Sequence, residues 1–222
     1  MEGSKASALD DWAASRGRAM VRFDYGGCGG SEGAFEEQTL QGWRDDVLAA
    51  IDSVEGAAIL VGSSMGGWLM LLAALARPDR VAALVGVAAA PDFTDWGFEE
   101  DQKRRIREEG RLEEPSPYGE APYVTTRAFW ESGEALKVLE GAIPIHCPVR
   151  LLHGLTDADV PWRIAVDLIG RLASDDARLT LVKGGDHRLS SPADIALLVG
   201  TVEGLTAQTD RSSGVQAPGL NA

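Results

Sequence analysis

An α/β fold, built on a mostly parallel sheet with helices on both faces, is predicted by three features of this sequence. Short apolar runs of strand length alternate with amphipathic runs of helix length along most of the chain. Runs such as Ala57–Gly62 and Val81–Ala89 are continuously apolar, as strands buried on both faces are. Residues 92–147 break the rhythm with a charged stretch containing Trp96, Phe98, Tyr118, Tyr123, Phe129 and Trp130, which reads as a small, partly helical lid inserted into the sheet domain. The 222 residues, 45% of them apolar, suffice for one sizeable core. The expected organisation is a single domain over 1–206, with a flexible tail at 207–222 that is polar and contains Gly and Pro.

The elements follow in order. Ala6, Leu9, Trp12 and Ala13 recur at helical spacing, and Gly17 is placed to end that helix. Ala19–Tyr25 reads as a strand, and a glycine-rich loop, Gly26–Gly33, follows it. Leu40, Trp43, Val47, Ile51 and Val54 mark one face of a second helix. After the strand at 57–62, Gly67–Ala76 is apolar nearly all round, as a buried helix is, and Arg77-Pro78 ends it. Beyond the lid come strand Val149–Gly154, helix Trp162–Leu172, strand Arg178–Val182 and helix Pro192–Leu205. Ser191 can cap the last of these, with Pro192 in its first turn and Asp194 at the third position.

Charge and composition exclude several classes. With 34 acidic against 21 basic residues the net charge is −13, which repels phosphate backbones and speaks against a nucleic-acid partner. Two cysteines, Cys28 and Cys147, are too few for a disulfide scaffold. No apolar run approaches the roughly 18 residues of a membrane span, so no integral membrane segment is expected. The first residues lack a basic-then-apolar leader pattern, and a cytoplasmic protein is the expectation.

The chemistry concentrates at Gly62-Ser63-Ser64-Met65-Gly66, a G-x-S-x-G match placed where a buried strand meets a buried helix. A sharp turn there projects Ser64 at the carboxyl edge of the sheet, and the flanking glycines are expected because side chains would strike nearby backbone. The helix N-terminus favours a developing anion, and the Met65 N–H points to where an oxyanion forms. A serine hydroxyl needs a base. Among three histidines, His187 follows the last predicted strand at the same edge as Ser64. His153 lies inside a strand and reads as structural, while His146 lies at the wrong end. Asp157, just beyond the strand at 149–154, is the orienting carboxylate, with Asp159 as the alternative. The expected catalytic set is Ser64, Asp157 and His187, in the order Ser, Asp, His, with Met65 supplying an oxyanion donor. No cofactor is required, and the histidines show no metal-ligand spacing.

Gly26-Gly27-Cys28-Gly29-Gly30 invites comparison with a phosphate cradle, but Glu32 stands where G-x-G-x-x-G needs its last glycine and no G-K-S/T follows. It reads as a tight loop beside the pocket, with Cys28 an unreactive thiol. The lid aromatics have two readings that the sequence leaves open: an apolar surface for an acyl chain, or the insertion's own core.

The stretches VRFDYGGCGGSEG (21–33), WRDDVLAAID (43–52), ILVGSSMGGWLMLLAALARPDRV (59–81), CPVRLLHGLTDADVPW (147–162) and DHR (186–188), with GSKA (3–6) and ADIALLV (193–199), resemble a branch of the α/β-hydrolase family. That branch contains a mitochondrial palmitoyl-protein thioesterase, which is also an acyl-glucuronide esterase, and bacterial relatives. The resemblance covers most of residues 1–205 and is weakest in the lid. It implies Ser64 as nucleophile, Asp157 as acid and His187 as base. The implied substrates are thioesters or activated oxygen esters of acyl groups, on a small molecule or an acylated protein. A general carboxylesterase, a peptidase-like hydrolase and a non-catalytic hydrolase-fold binding protein are the alternatives. In this family a further strand and an oxyanion loop precede the stretch that begins here at Met1, the strand lying between those at 19–25 and 57–62. The resemblance therefore implies an N-terminally truncated chain that lacks the loop's second oxyanion N–H.

Overall fold

The computed structural model describes residues 3–115 and 122–213. Four strands, β1 (Ala58–Ser63), β2 (Val81–Val87), β5 (Val149–Gly154) and β6 (Ala177–Val182), form a fully parallel sheet in that spatial order. Helices α1 (Ser4–Ser15) and α8 (Pro192–Ser213) cover one face, and α3 (Met65–Ala76) and α7 (Trp162–Arg171) cover the other. Helix α2 (Leu40–Asp52) packs outside α3. The lid holds α4 (Phe93–Trp96), α5 (Glu100–Glu109), an antiparallel pair β3 (Arg111–Glu114) and β4 (Tyr123–Thr126), and α6 (Arg127–Glu134).

Strand β2 shows why the apolar runs are continuous. Its Ala83, Val85 and Val87 enter the core beneath α1 and α8 with Leu9, Leu198, Val202 and Leu205. Leu84, between them, enters the core beneath α3 and α7 with Met70, Leu71, Leu151 and Leu168, and Val81 joins the same core from the far side of a register shift between β1 and β2. Side chains alternate across a strand, so a sheet with helices on both faces needs apolar residues at every position. Helix α3 follows the same logic: eight consecutive residues, Gly67–Ala74, are buried.

Three sequence expectations are corrected. Ala19–Tyr25 does not form a strand; it runs without ladder hydrogen bonds, and Val21 is 54% exposed. A strand exists only where a neighbour completes its backbone bonds, and β1 has β2 as its one ladder neighbour among the described residues. For the same reason β1 is not buried on both faces as its apolar run implies: it is the outer strand, and Val61 is 40% exposed. The lid, expected to be partly helical, also holds a small sheet of β3 and β4. At the other end, α8 continues to Ser213, past Leu205 where the sequence reading stops it. Tyr118 and residues 214–222 of the expected tail lie outside the described residues.

The α8 entry has the expected cap. The Asp194 N–H donates to Ser191 Oγ at 3.2 Å, and the Ser191 N–H donates to Asp194 Oδ2 at 3.1 Å. The lid closes on its own core of Ile106, Leu112 and Trp130, with Phe98 against them. It is tied back to the sheet through Asp92. This carboxylate is 3% exposed and accepts the N–H groups of Val138 at 2.8 Å and Leu139 at 2.7 Å.

Burial pushes the Asp92 carboxyl above its usual range, more than those two N–H bonds pull it down. The folded chain therefore holds a proton that the unfolded chain releases near pH ~4, and stability falls as pH rises through that window. Thermal melts should show Asp92→Asn flattening this part of the pH dependence. Asp92→Ala, which strands both N–H groups, should lose about 1–3 kcal/mol.

Candidate active site

Ser64 stands between β1 and α3 with φ 55° and ψ −123°, a backbone conformation rarely adopted by a residue with a Cβ. Three backbone bonds hold it there. The Ser64 N–H donates to Val87 O at 2.9 Å, and Ser64 O accepts the N–H groups of Gly67 at 2.9 Å and Ala90 at 3.1 Å. The end of β2 thus clamps the turn that follows β1. A Cβ on Gly62 would lie 2.2 Å from Gly66 O, so the strand meets the helix with no room for a side chain. Gly66 differs from the sequence expectation: a Cβ there would meet its nearest neighbour, Tyr25 Oη, at 3.7 Å, an ordinary contact.

Because the sheet is fully parallel, the turns after β1, β5 and β6 share one edge. His187 Nε2 lies 3.1 Å from Ser64 Oγ, and His187 Nδ1 lies 2.9 Å from Asp157 Oδ2. The carboxylate accepts from Nδ1–H, so Nε2 presents its lone pair to the serine hydroxyl, which can donate to it. Asp157 Oδ1 takes the N–H groups of Asp159 at 2.9 Å and Val160 at 2.8 Å. The Asp157 side chain is fully enclosed, whereas that of His187 is 19% exposed. A buried carboxylate with its lone pairs engaged by N–H donors stays put while a charge appears on the adjoining ring.

The loops carrying Asp157 and His187 are joined directly. Thr156 donates to Gly185 O from its N–H at 3.0 Å and from Oγ1 at 2.7 Å. A Cβ on Gly154 would sit 2.2 Å from that same oxygen. The Lys5 ammonium of α1 donates to Arg188 O, beside His187. Sequence reasoning missed Thr156 and Lys5; position next to Asp157 hinted at the first, and nothing local pointed to the second.

The other sequence candidates fall elsewhere. Asp159 is exposed and meets Asp157 through its backbone N–H. His153 is 1% exposed inside β5. Met65 opens α3, so its N–H belongs to the helix N-terminal amides that lack an intrahelical acceptor. Asp157, Asp159 and His187 offer ligand atoms within 4.8 Å of one another, but the Asp157 oxygens are already engaged as described. The glycine-rich loop turns its amides to carboxylates of this chain: Gly26 N–H donates to Asp46 at 2.8 Å and Gly30 N–H to Asp24 at 3.1 Å. A loop satisfied in this way does not cradle phosphate. Burial pushes the Cys28 thiol up, which keeps it protonated and poorly nucleophilic. Burial likewise raises the neighbouring Tyr25 phenol to about 12.

Most described lid aromatics serve as core. Phe129 packs on Trp43 with centroids 5.4 Å apart, Phe93 packs on Trp68 at 5.7 Å, and Trp130 Nε1 donates to Thr94 O at 3.0 Å. Tyr123 is 50% exposed. It borders an open groove of about 620 Å³ with Phe35, Glu36 and Val124, which none of Ser64, Asp157 and His187 lines.

Comparison with known proteins adds three findings. The model of the α/β hydrolase fold family matches residues 6–116. Human palmitoyl-protein thioesterase ABHD10, mitochondrial, is 44% identical over 210 residues, covering 92% of this chain and 69% of the relative. Among solved structures, mouse alpha/beta hydrolase domain-containing protein 10 superposes with a TM-score of 0.87 at 42% identity, over 94% of this chain and 85% of that one. Est1E from Butyrivibrio proteoclasticus, solved with ferulic acid bound, shares the fold at 22% identity, with a TM-score of 0.78 over 94% of this chain and 84% of that one.

The strain at Ser64 has a measurable consequence. Glycine relieves the Cβ penalty at φ 55° whereas alanine keeps it. Ser64→Gly should therefore be more stable than Ser64→Ala by about 1 kcal/mol in chemical denaturation, after glycine's larger unfolded-state entropy is allowed for.

Proposed function

The chain belongs to the α/β-hydrolase family, and from that premise we propose that it is a serine hydrolase cleaving acyl thioesters or carboxylic esters through Ser64, His187 and Asp157. The observation that carries the reading is the hydrogen-bonded line from Ser64 Oγ to His187 Nε2, 3.1 Å, and from His187 Nδ1 to Asp157 Oδ2, 2.9 Å. These are the lengths over which a base removes a hydroxyl proton and a carboxylate orients the base.

In this mechanism Ser64 Oγ attacks the acyl carbonyl carbon as its proton passes to His187 Nε2. Asp157 keeps Nδ1 protonated and stabilises the imidazolium. The tetrahedral oxyanion is held by the Met65 N–H at the start of α3, where the helix dipole adds favourable potential. His187 then gives its proton to the departing thiol or alcohol, leaving an acyl-serine ester. A water that has lost its proton to His187 attacks that ester, and the carboxylic acid leaves as Ser64 regains its proton. Every proton has a donor and an acceptor among these residues and water.

The preference for thioesters, and for acyl groups on small molecules or proteins, rests on the 44% identity to a palmitoyl-protein thioesterase. Among the described residues no helix is long and apolar enough to cross a membrane. A cytoplasmic place of action belongs to the same proposal and is checked by cell fractionation.

A fluorophosphonate probe should label the wild-type chain at Ser64 and leave Ser64→Ala unlabelled. Turnover of p-nitrophenyl esters and acyl thioesters should fall by about 10⁴-fold or more in Ser64→Ala and His187→Ala. Undiminished hydrolysis by folded Ser64→Ala removes this serine from the mechanism. Rates on matched thioester, ester and amide substrates separate a thioesterase from a general carboxylesterase or a peptidase.

A further inference from the structure

A second imidazole stands beside the Asp157 carboxylate. His153, in β5, is 1% exposed. Its Nε2 lies 2.9 Å from Val160 O and 3.3 Å from Asp157 Oδ2. A carbonyl oxygen only accepts, so Nε2 carries the proton and its N–H donates to Val160 O, with Asp157 Oδ2 in close electrostatic contact. The other ring nitrogen, Nδ1, is buried without a hydrogen-bond partner among the described residues. A lone pair tolerates that enclosure better than an N–H does, which favours the same tautomer.

We infer that His153 is a positioning residue for the acid of the Ser64–His187–Asp157 site, an inference that rests on the function proposed above. Two features separate it from a histidine that merely fills the core. First, Nε2 lies 3.3 Å from Oδ2, the same oxygen that accepts His187 Nδ1–H, so its N–H dipole bears on the pair that orients the base. Second, the same N–H holds Val160 O, while the Val160 N–H donates to Asp157 Oδ1. One strand side chain thus fixes both the carboxylate and the turn that presents it. Oδ1 accepts two backbone N–H groups, and Oδ2 accepts His187 Nδ1–H with His153 Nε2 packed 3.3 Å away, so the carboxylate plane has little freedom to rotate to an alternative partner. Without His153, Val160 O loses its donor and the turn that holds the Asp157 carboxylate loosens, so the angle at which His187 Nε2 meets Ser64 Oγ is less tightly set.

The test compares His153→Leu, which removes the donor, with His153→Gln, whose amide Nε2 reaches the same place. Active protein is counted by fluorophosphonate titration, so that kcat refers to folded sites. The expected result is a fall in kcat of roughly 10- to 100-fold for His153→Leu, up to the loss that a misplacement of about 1 Å at the reacting groups causes. KM should stay within a few-fold, and His153→Gln should recover most of the rate. Wild-type kcat in His153→Leu, or equal losses in both variants, overturns the inference and leaves the proposed function standing. Absence of Ser64-dependent turnover in the wild type overturns both. Should His153→Leu fail to fold, nitrogen–proton correlation spectra of the wild-type imidazoles decide the matter. A proton on His153 Nε2, held in a hydrogen bond to the Val160 carbonyl, upholds the assignment; a proton on Nδ1 instead overturns it.

Discussion

The enclosed carboxylate of Asp157 is the constraint around which the site is arranged. An ion removed from water is tolerated only when hydrogen-bond donors replace its hydration, and leaving it uncompensated costs several kcal/mol. Here the donors are two amides of its own turn and the ring of His187, with a strand histidine packed alongside. Meeting that requirement links the turn after β5 to the loop after β6. The link is made at the backbone as well, where Gly154 lets the chain approach Gly185 and Thr156 donates twice to the Gly185 carbonyl. The position of His187 is therefore set by the β5–β6 register as much as by its own loop.

Ser64 obeys a different constraint. Its backbone is strained, and the strain is held by bonds to the end of β2 rather than by anything within the turn. Strain of this kind persists only where the surroundings over-determine it. The result is a hydroxyl at the sheet edge, beside helix N-terminal amides and in line with an imidazole. The 3.1 Å spacing thus depends on β1 pairing with β2 on one side and on the Asp157-anchored loops on the other.

The insertion between β2 and β5 solves its own burial problem. Its aromatic residues build a small core with Ile106 and Leu112, and dock on α2 and α3 through Trp43 and Trp68. Asp92 returns the chain to the sheet. An insertion stabilised in this way can vary in sequence without disturbing the strand ends that carry the polar groups.

Much of this was legible in the chain itself. Local rules located β2, β5, β6 and the principal helices, because an apolar run covered on both faces and a capped amphipathic run each carry their signal within a few residues. The G-x-S-x-G turn and the order Ser64, Asp157, His187 marked which side chains share an edge once the sheet is parallel. What escaped were properties of neighbours. Ala19–Tyr25 has the composition of a strand but no ladder partner, and β1 has an exposed side because of what lies beside it, not because of its own residues. The lid aromatics offered two uses, and only packing against Trp43, Trp68, Ile106 and Leu112 shows which of them serve as core. The Lys5–Arg188 bond joins residues 183 positions apart, and the bond of His153 to Val160, though local in sequence, depends on how the turn after β5 folds back over its strand. Periodicity and caps act along the chain and can be read from it; ladder pairing, enclosure and the sharing of one carboxylate act across it and exist only after folding.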